Sequence, residues 1–197
     1  MHKMAVFASG SGTNFQAICD AAKKGELDAA IELLVCDRED AYVIRRAAQE
    51  NIPAFVFNPK TYPDKRAYEQ EILAQLQEKQ IEWIILAGYM RLIGPVLLNQ
   101  YPRKIINIHP SLLPAFPGKD AIGQALAAGV KITGVTVHYV DEGMDTGPII
   151  AQAAVPVLDG DTYETLAARI HQTEHVLYPD VLRKLVENQT NMEVLPE

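Results

Sequence analysis

The chain lacks several features that would have defined its role at once. Two cysteines, Cys19 and Cys36, stand in 197 residues, too few for a disulfide framework or a zinc site; both read as small buried hydrophobes. No apolar run reaches the ~18 residues that a membrane span needs. The apolar stretch after Met1-His2-Lys3 is too short for the core of a secretion signal. Cationic side chains are outnumbered, 18 Lys and Arg against 25 Asp and Glu, for a formal charge of -7. That balance argues against binding nucleic acid through its phosphates, though it permits a local anion site. No repeat, low-complexity segment or linker divides the chain. The expectation is one domain over residues 1–197, cytoplasmic, monomeric or homodimeric, without a membrane or nucleic-acid partner. An apolar content of 48% is ordinary for a globular chain that buries a substantial core.

What is present alternates between strand and helix. Residues 4–9 read as a strand and 10–14 as a turn, and Phe15, Ile18, Cys19 and Ala22 recur at helical spacing. A strand at 31–37, a helix at 42–50 and a short strand at 54–57 follow. Asp64 can cap a helix through about residue 78, with Tyr68, Ile72 and Leu76 on one side. Residues 83–87 form a continuous apolar run, the mark of a strand buried on both faces. Leu97 lies in a short helix before a strand at 105–108. After Pro117-Gly118 the pattern changes to a short helix at 121–128, a strand at 134–140, a polar loop, and a strand at 148–157, suggesting an antiparallel pair. Asp161 or Thr162 opens a last helix to about residue 186, with fraying from about Asn188. This order predicts an α/β fold: a doubly wound, mostly parallel Rossmann-like sheet with an antiparallel strand pair towards the C-terminus.

Three segments carry chemistry. In Ile106-Asn107-Ile108-His109-Pro110, an amide and an imidazole stand two apart at a strand end, so they point to one face. Such a pair suits a reaction that develops charge on oxygen; the plain alternative is a structural Asn and His at a strand exit. Ser9-Gly10-Ser11-Gly12-Thr13-Asn14 joins the first strand to the first helix, where glycines and free amides suit a phosphate. Phe15 occupies the third glycine position of a dinucleotide fingerprint, and no Gly-Lys-Ser/Thr follows, so neither that motif nor a Walker loop is present. The alternative is an ordinary turn with Thr13 or Asn14 as helix cap. In the third segment, Asp141 and Glu142 read as a solvated turn, whereas Asp145, before Thr146-Gly147-Pro148, could be held against His109 and favour its charged form.

Ile106-Asn107-Ile108-His109-Pro110-Ser111-Leu112-Leu113-Pro114 resembles the core motif of the folate-dependent formyltransferase superfamily, and the run from Gly134 to Ile150 resembles its second motif. With Ser9 to Ile18 added, the resemblance narrows to the members that formylate glycinamide ribonucleotide, and it covers residues 4–184. It implies 10-formyltetrahydrofolate as formyl donor, glycinamide ribonucleotide as acceptor, and no metal. It implies catalytic roles for Asn107, His109 and Asp145, and a phosphate site at Ser11, Gly12, Thr13 and Asn14. Glu174 would meet the ribose, with an exposed helix carboxylate as the alternative. Met90, Arg91, Leu92 and Ile93, after Gly88-Tyr89, would receive the folate ring, and Val140, Asp141, Glu142, Gly143, Met144 and Asp145 would close over it. Lys65 or Arg66 could meet the folate tail, although solvated helix charges fit them better. The resemblance departs at Lys119-Asp120-Ala121-Ile122-Gly123, where several relatives carry histidines; Asp120 could take a polar role there. Ser111 reads as a turn residue, His138 as a satisfied structural histidine with a place near the site left open, and His2, His171 and His175 have no catalytic context. Activity is expected to fall in acid as the acceptor amine and Asp145 take up protons. A formyltetrahydrofolate hydrolase and a noncatalytic binding module are the competing readings.

Overall fold

Runs rich in Val, Ile and Leu favour extended chain, because branched side chains pack well on a pleated surface. The computed structural model describes residues 1–193. Among them are strands β1 (His2–Phe7), β2 (Ala29–Cys36), β3 (Ala54–Val56), β4 (Trp83–Leu86), β5 (Ile105–His109), β6 (Ile132–Tyr139) and β7 (Ile149–Pro156). The helices are α1 (Thr13–Lys23), α2 (Val43–Gln49), α3 (Lys65–Glu78), α4 (Pro95–Gln100), α5 (Ala121–Ala128) and α6 (Tyr163–Glu193). One sheet holds the strands in the order β3-β2-β1-β4-β5-β6-β7. Pairing is parallel from β3 to β5 and antiparallel from β5 through β7. The expected α/β class and mostly parallel sheet are what the chain adopts. The antiparallel part extends one pairing further than a hairpin alone, because β6 returns directly against β5.

The sheet is covered on both sides. Met4, Val6 and Ala8 face a core shared with α1, α2 and α6, while Ala5 and Phe7 face one shared with α3 and α4. This alternation follows from the two-residue period of a strand, and central strands buried on both faces read as unbroken apolar runs. Asp64 caps α3 as expected, its carboxylate accepting from Ala67 N at 2.8 Å. Helix α6 continues to Glu193, beyond the expected end near residue 186. The expected fraying from about Asn188 falls in part on residues 194–197, outside the described residues. Among the described residues, no helix is long and apolar enough to cross a membrane.

The strand order reverses between β1 and β4, which are neighbours although distant in sequence. Loops leaving two such strands diverge to opposite faces and open a crevice at the carboxyl ends of the strands. Fully buried Tyr178 of α6 braces the adjoining strands β4 and β5, its hydroxyl 2.8 Å from Leu86 O and 3.0 Å from Ile106 O. Tyr178→Phe removes this donor from two buried carbonyls and is expected to lower stability by about 1–3 kcal/mol. Urea denaturation measures it, and a loss below about 0.5 kcal/mol, the level of an ordinary surface change, would count against the brace.

Candidate active site

The antiparallel register of β5 and β6 sets Asn107 opposite His138 and His109 opposite Thr136. Residues directly opposed across two strands share a face, so the Asn107/His109 pair acquires a second imidazole. His138 Nδ1 lies 2.8 Å from Tyr139 O. A carbonyl only accepts, so that nitrogen carries the proton. Nε2 then accepts from Asn107 Nδ2 at 3.1 Å. The amide is thereby held by one N–H, and the other has no partner among the described residues. His138 is thus a satisfied structural histidine and also a direct neighbour of the candidate site.

His109 is buried, and both its ring nitrogens face acceptors. Nε2 is 2.8 Å from Phe116 O and Nδ1 is 3.4 Å from Asp145 Oδ2. A doubly protonated ring satisfies both partners at once. The chain after β5 is pinned around it by Thr136, whose Oγ1 donates to Ser111 O at 2.7 Å and accepts from Leu113 N at 3.0 Å. Ser111 itself is fully buried and donates to Ala115 O at 2.6 Å, the turn role expected of it.

Asp145 is brought over His109 by a loop that folds on itself. Asp141 Oδ1 accepts from Thr146 Oγ1 at 2.6 Å and Gly143 N at 3.0 Å, and a side chain at Gly147 would overlap the Tyr139 carbonyl. Asp145 takes a left-handed backbone at φ 56°, which turns its carboxylate inward. Its Oδ2 accepts from Gly118 N at 2.7 Å, and Oδ1 stands 3.7 Å from His138 Nε2. The latter is too long for a formed hydrogen bond and acts through space. Burial pushes the Asp145 pKa up, but the Gly118 amide and the His109 ring, with His138 when its own ring is charged, outweigh burial and hold it below the usual 3.8.

The lowered pKa moves protonation of Asp145 further into acid than for an ordinary carboxyl. A carboxyl whose pKa is lower folded than unfolded adds stability above its unfolded pKa and loses it as pH falls through the folded value. The stability advantage of the native chain over Asp145→Asn should therefore hold steady from neutral pH to about 5 and shrink at lower pH. Urea titrations at a series of pH values test this, and an advantage that vanished between pH 7 and 6 would contradict it.

On the other side of the switch point, α1 begins after Gly12, whose φ of 74° is left-handed and which supplies no side-chain cap. Thr13 and Asn14 therefore do not cap the helix, and the amides of its first turn point outward for an anion. Asn14 Nδ2 instead donates to Glu174 Oε2 at 3.0 Å, while Asn14 Oδ1 is buried without a partner. Ser11 is exposed, and its carbonyl accepts from Arg46 Nε at 2.8 Å. Glu174 is not the exposed helix carboxylate offered as the alternative. It is 5% exposed, and burial raises its pKa against the opposing effects of Asn14 and His171.

The loop after β4 exposes Met90 and Leu92, and Met144 is exposed on the loop that carries Asp145. Two of the expected folate residues present backbone rather than side chain to this surface. The Ile93 side chain is buried in the α3/α4 core, leaving only its backbone for a ligand. Arg91 turns its guanidinium to Asp37, Nε to Oδ2 at 2.7 Å. Val140 is half-buried, with its amide on Ile105 O at 3.0 Å, and Glu142 is exposed. Asp120 serves as the cap of α5, accepting from Gly123 N at 3.2 Å. The sequence reading missed Asp37 and underrated His138; the only signal for the latter was its position on a strand that returns against β5.

The chain has counterparts among known proteins. A family model described as formyl transferase matches residues 2–182. A phosphoribosylglycinamide formyltransferase of Bacillus subtilis (strain 168) is 59% identical over 186 residues, covering 94% of this chain and 95% of that protein. The crystal structure of glycinamide ribonucleotide transformylase 1 from Geobacillus kaustophilus is 70% identical with a TM-score of 0.92, over 94% of this chain and 98% of that one. The crystal structure of phosphoribosylglycinamide formyltransferase from Bacillus halodurans is 55% identical with a TM-score of 0.94, over 98% of this chain and 100% of that one. A trifunctional purine biosynthetic protein, adenosine-3, of Drosophila melanogaster is 40% identical over 186 residues; the alignment covers 93% of this chain but only 14% of that protein.

Proposed function

Because the chain belongs to the formyl transferase family, we propose that it transfers the formyl group of 10-formyltetrahydrofolate to the primary amine of glycinamide ribonucleotide, a step of purine biosynthesis. The observation that carries this reading is the meeting of Asn107, His109, His138 and Asp145 at the end of β5, beside the crevice between the loops after β1 and β4. One domain serves both substrates, with the nucleotide held by the loop after β1 and by Glu174 of α6, and the folate by the loop after β4 and the loop between β6 and β7.

The nucleotide phosphate rests on Gly12, Thr13 and Asn14, with Ser11 beside them, where the helix N-terminus favours an anion. A ribose hydroxyl reaches the buried Glu174, and the orphaned Asn14 Oδ1 accepts a further donor from the ligand. The folate ring lies on Met90, Leu92 and the backbone of Arg91 and Ile93, under the loop from Val140 to Asp145. The amine attacks the formyl carbon, giving a tetrahedral intermediate with an oxyanion. The free N–H of Asn107 donates to that oxygen, and the His109 ring stabilises or protonates it; Nε2 must exchange Phe116 O for the substrate oxygen to do so. Asp145 keeps His109 charged and, through water, helps the amine lose its proton. Collapse breaks the bond to the folate N10, which leaves protonated as tetrahydrofolate. No protein nucleophile is consumed. Free buried Cys19 and Cys36 suit a reducing, cytoplasmic setting.

The test is an absorbance assay of folate product with 10-formyltetrahydrofolate, run with and without glycinamide ribonucleotide. Turnover that needs the nucleotide supports the transferase. Turnover with the folate alone moves the reading to a hydrolase, and binding of both ligands without turnover moves it to a noncatalytic module.

A further inference from the structure

Outside the reacting cluster, a second set of side chains joins the two loops that the proposed function assigns to different substrates. Asp37, just after β2, is 7% exposed. Its Oδ1 accepts from Ser9 Oγ at 2.5 Å and its Oδ2 from Arg91 Nε at 2.7 Å. Ser9 Oγ in turn accepts from Met90 N at 3.0 Å, and Ser9 N donates to Gly88 O at 3.1 Å. Ser9 opens the nucleotide loop, while Gly88, Met90 and Arg91 belong to the folate loop. The strands that deliver these three segments, β2, β1 and β4, are neighbours in the sheet.

The direction of these bonds is dictated by chemistry. An ionised carboxylate only accepts, so the Ser9 hydroxyl must give its hydrogen to Asp37 and can offer only a lone pair to Met90. Asp37 therefore orients the Ser9 hydroxyl and, through it, the Met90 amide, while it holds the Arg91 side chain directly. Gly10, Ser11, Met90 and Leu92 around this buried knot are exposed, so the tie lies beneath surfaces left for ligands. Ordering one loop orders the other through shared, charge-assisted bonds.

We infer that Asp37 is a positioning residue that couples the folate loop to the nucleotide loop, so that a ligand on one side tightens binding on the other. The inference rests on the proposed function for the identity of the two ligands. Linked sites of this kind change each other's affinity reciprocally, typically by about 5- to 150-fold. Tetrahydrofolate binding to the native chain should therefore tighten by at least about fivefold when glycinamide ribonucleotide is saturating. Asp37→Ala and Ser9→Ala should bring that factor close to one, and Asp37→Asn should recover part of it, because an amide oxygen still accepts from Ser9. If Asp37→Ala does not fold, Ser9→Ala carries the test, since it leaves the Asp37–Arg91 pair in place.

Amide hydrogen exchange without ligands reads the tie independently: residues 88–93 should exchange faster in Ser9→Ala while those of α3 do not change. Binding of both ligands to the native chain without coupling, coupling undiminished in Ser9→Ala, or unchanged exchange at 88–93 would each overturn the inference. Failure of the native chain to bind either ligand would overturn the proposed function and the coupling with it; binding without coupling overturns the coupling alone.

Discussion

His109→Ala lowers kcat by about 10²- to 10⁴-fold, the usual contribution of a positioned acid or base, while the Kd of each substrate changes little. The ring is buried between two acceptors, Phe116 O and Asp145, so it is held in orientation before substrate arrives. Its contribution grows as charge appears on the formyl oxygen, and an interaction made chiefly in the transition state appears in kcat rather than in ground-state binding. The same ring holds the turn at Phe116, and alanine also removes that link. His109→Gln serves as the check, because its amide can still donate to a carbonyl but cannot carry the charge. Both variants should be slow, and both should bind glycinamide ribonucleotide. Rapid-quench turnover with equilibrium binding measures the two effects separately, and a kcat within about tenfold of native for His109→Ala, below the usual range for such a group, would sink the proposed role.

Gly12→Ala should damage the nucleotide side in a different way. Gly12 has φ +74°, and a Cβ built there lies 2.5 Å from Val43 Cγ2 and 3.0 Å from Val43 Cα. The left-handed backbone costs about 1–2 kcal/mol for a residue with a Cβ, and forced overlap adds about 1–3 kcal/mol. Relief must come from moving the start of α1 or the start of α2, and the first displaces the amides proposed to hold the phosphate. The nucleotide KM should rise more than about tenfold, as expected when 1.4 kcal/mol or more of binding is lost, with a smaller effect on kcat. Gly25→Ala is the matched control, since Gly25 has the same φ of +74° but open space around its Cβ. It should lose stability to strain alone and keep the native KM. A Gly12→Ala chain with native nucleotide KM would remove the phosphate loop from the mechanism.

These two residues also show where the sequence was informative. The Asn107 and His109 pairing is a local fact: strand side chains alternate, so residues two apart share a face wherever the strand packs. Gly12 was legible for a similar reason, because a Gly-rich turn between an apolar run and a helical pattern places amides at a helix start. Strand and helix alternation is equally local, and the class of sheet followed from it. His138 was not legible in that way. Its place beside Asn107 depends on β6 running antiparallel to β5 in one register, and a shift of one residue would have turned it to the opposite face.

Periodicity within short windows was thus enough to determine the elements, their order and the α/β class, and to put Asn107 and His109 on one face of β5. Only the tertiary structure decided that Glu174 is buried against Asn14, 160 residues away, and that Arg91 spends its guanidinium on Asp37, 54 residues away. It also decided that Asp145, which follows Asp141 and Glu142 in one polar loop, is turned inward against His109 and the Gly118 amide. Such features depend on which segments meet, and that choice is made by the packing of the whole sheet rather than by any stretch of chain alone.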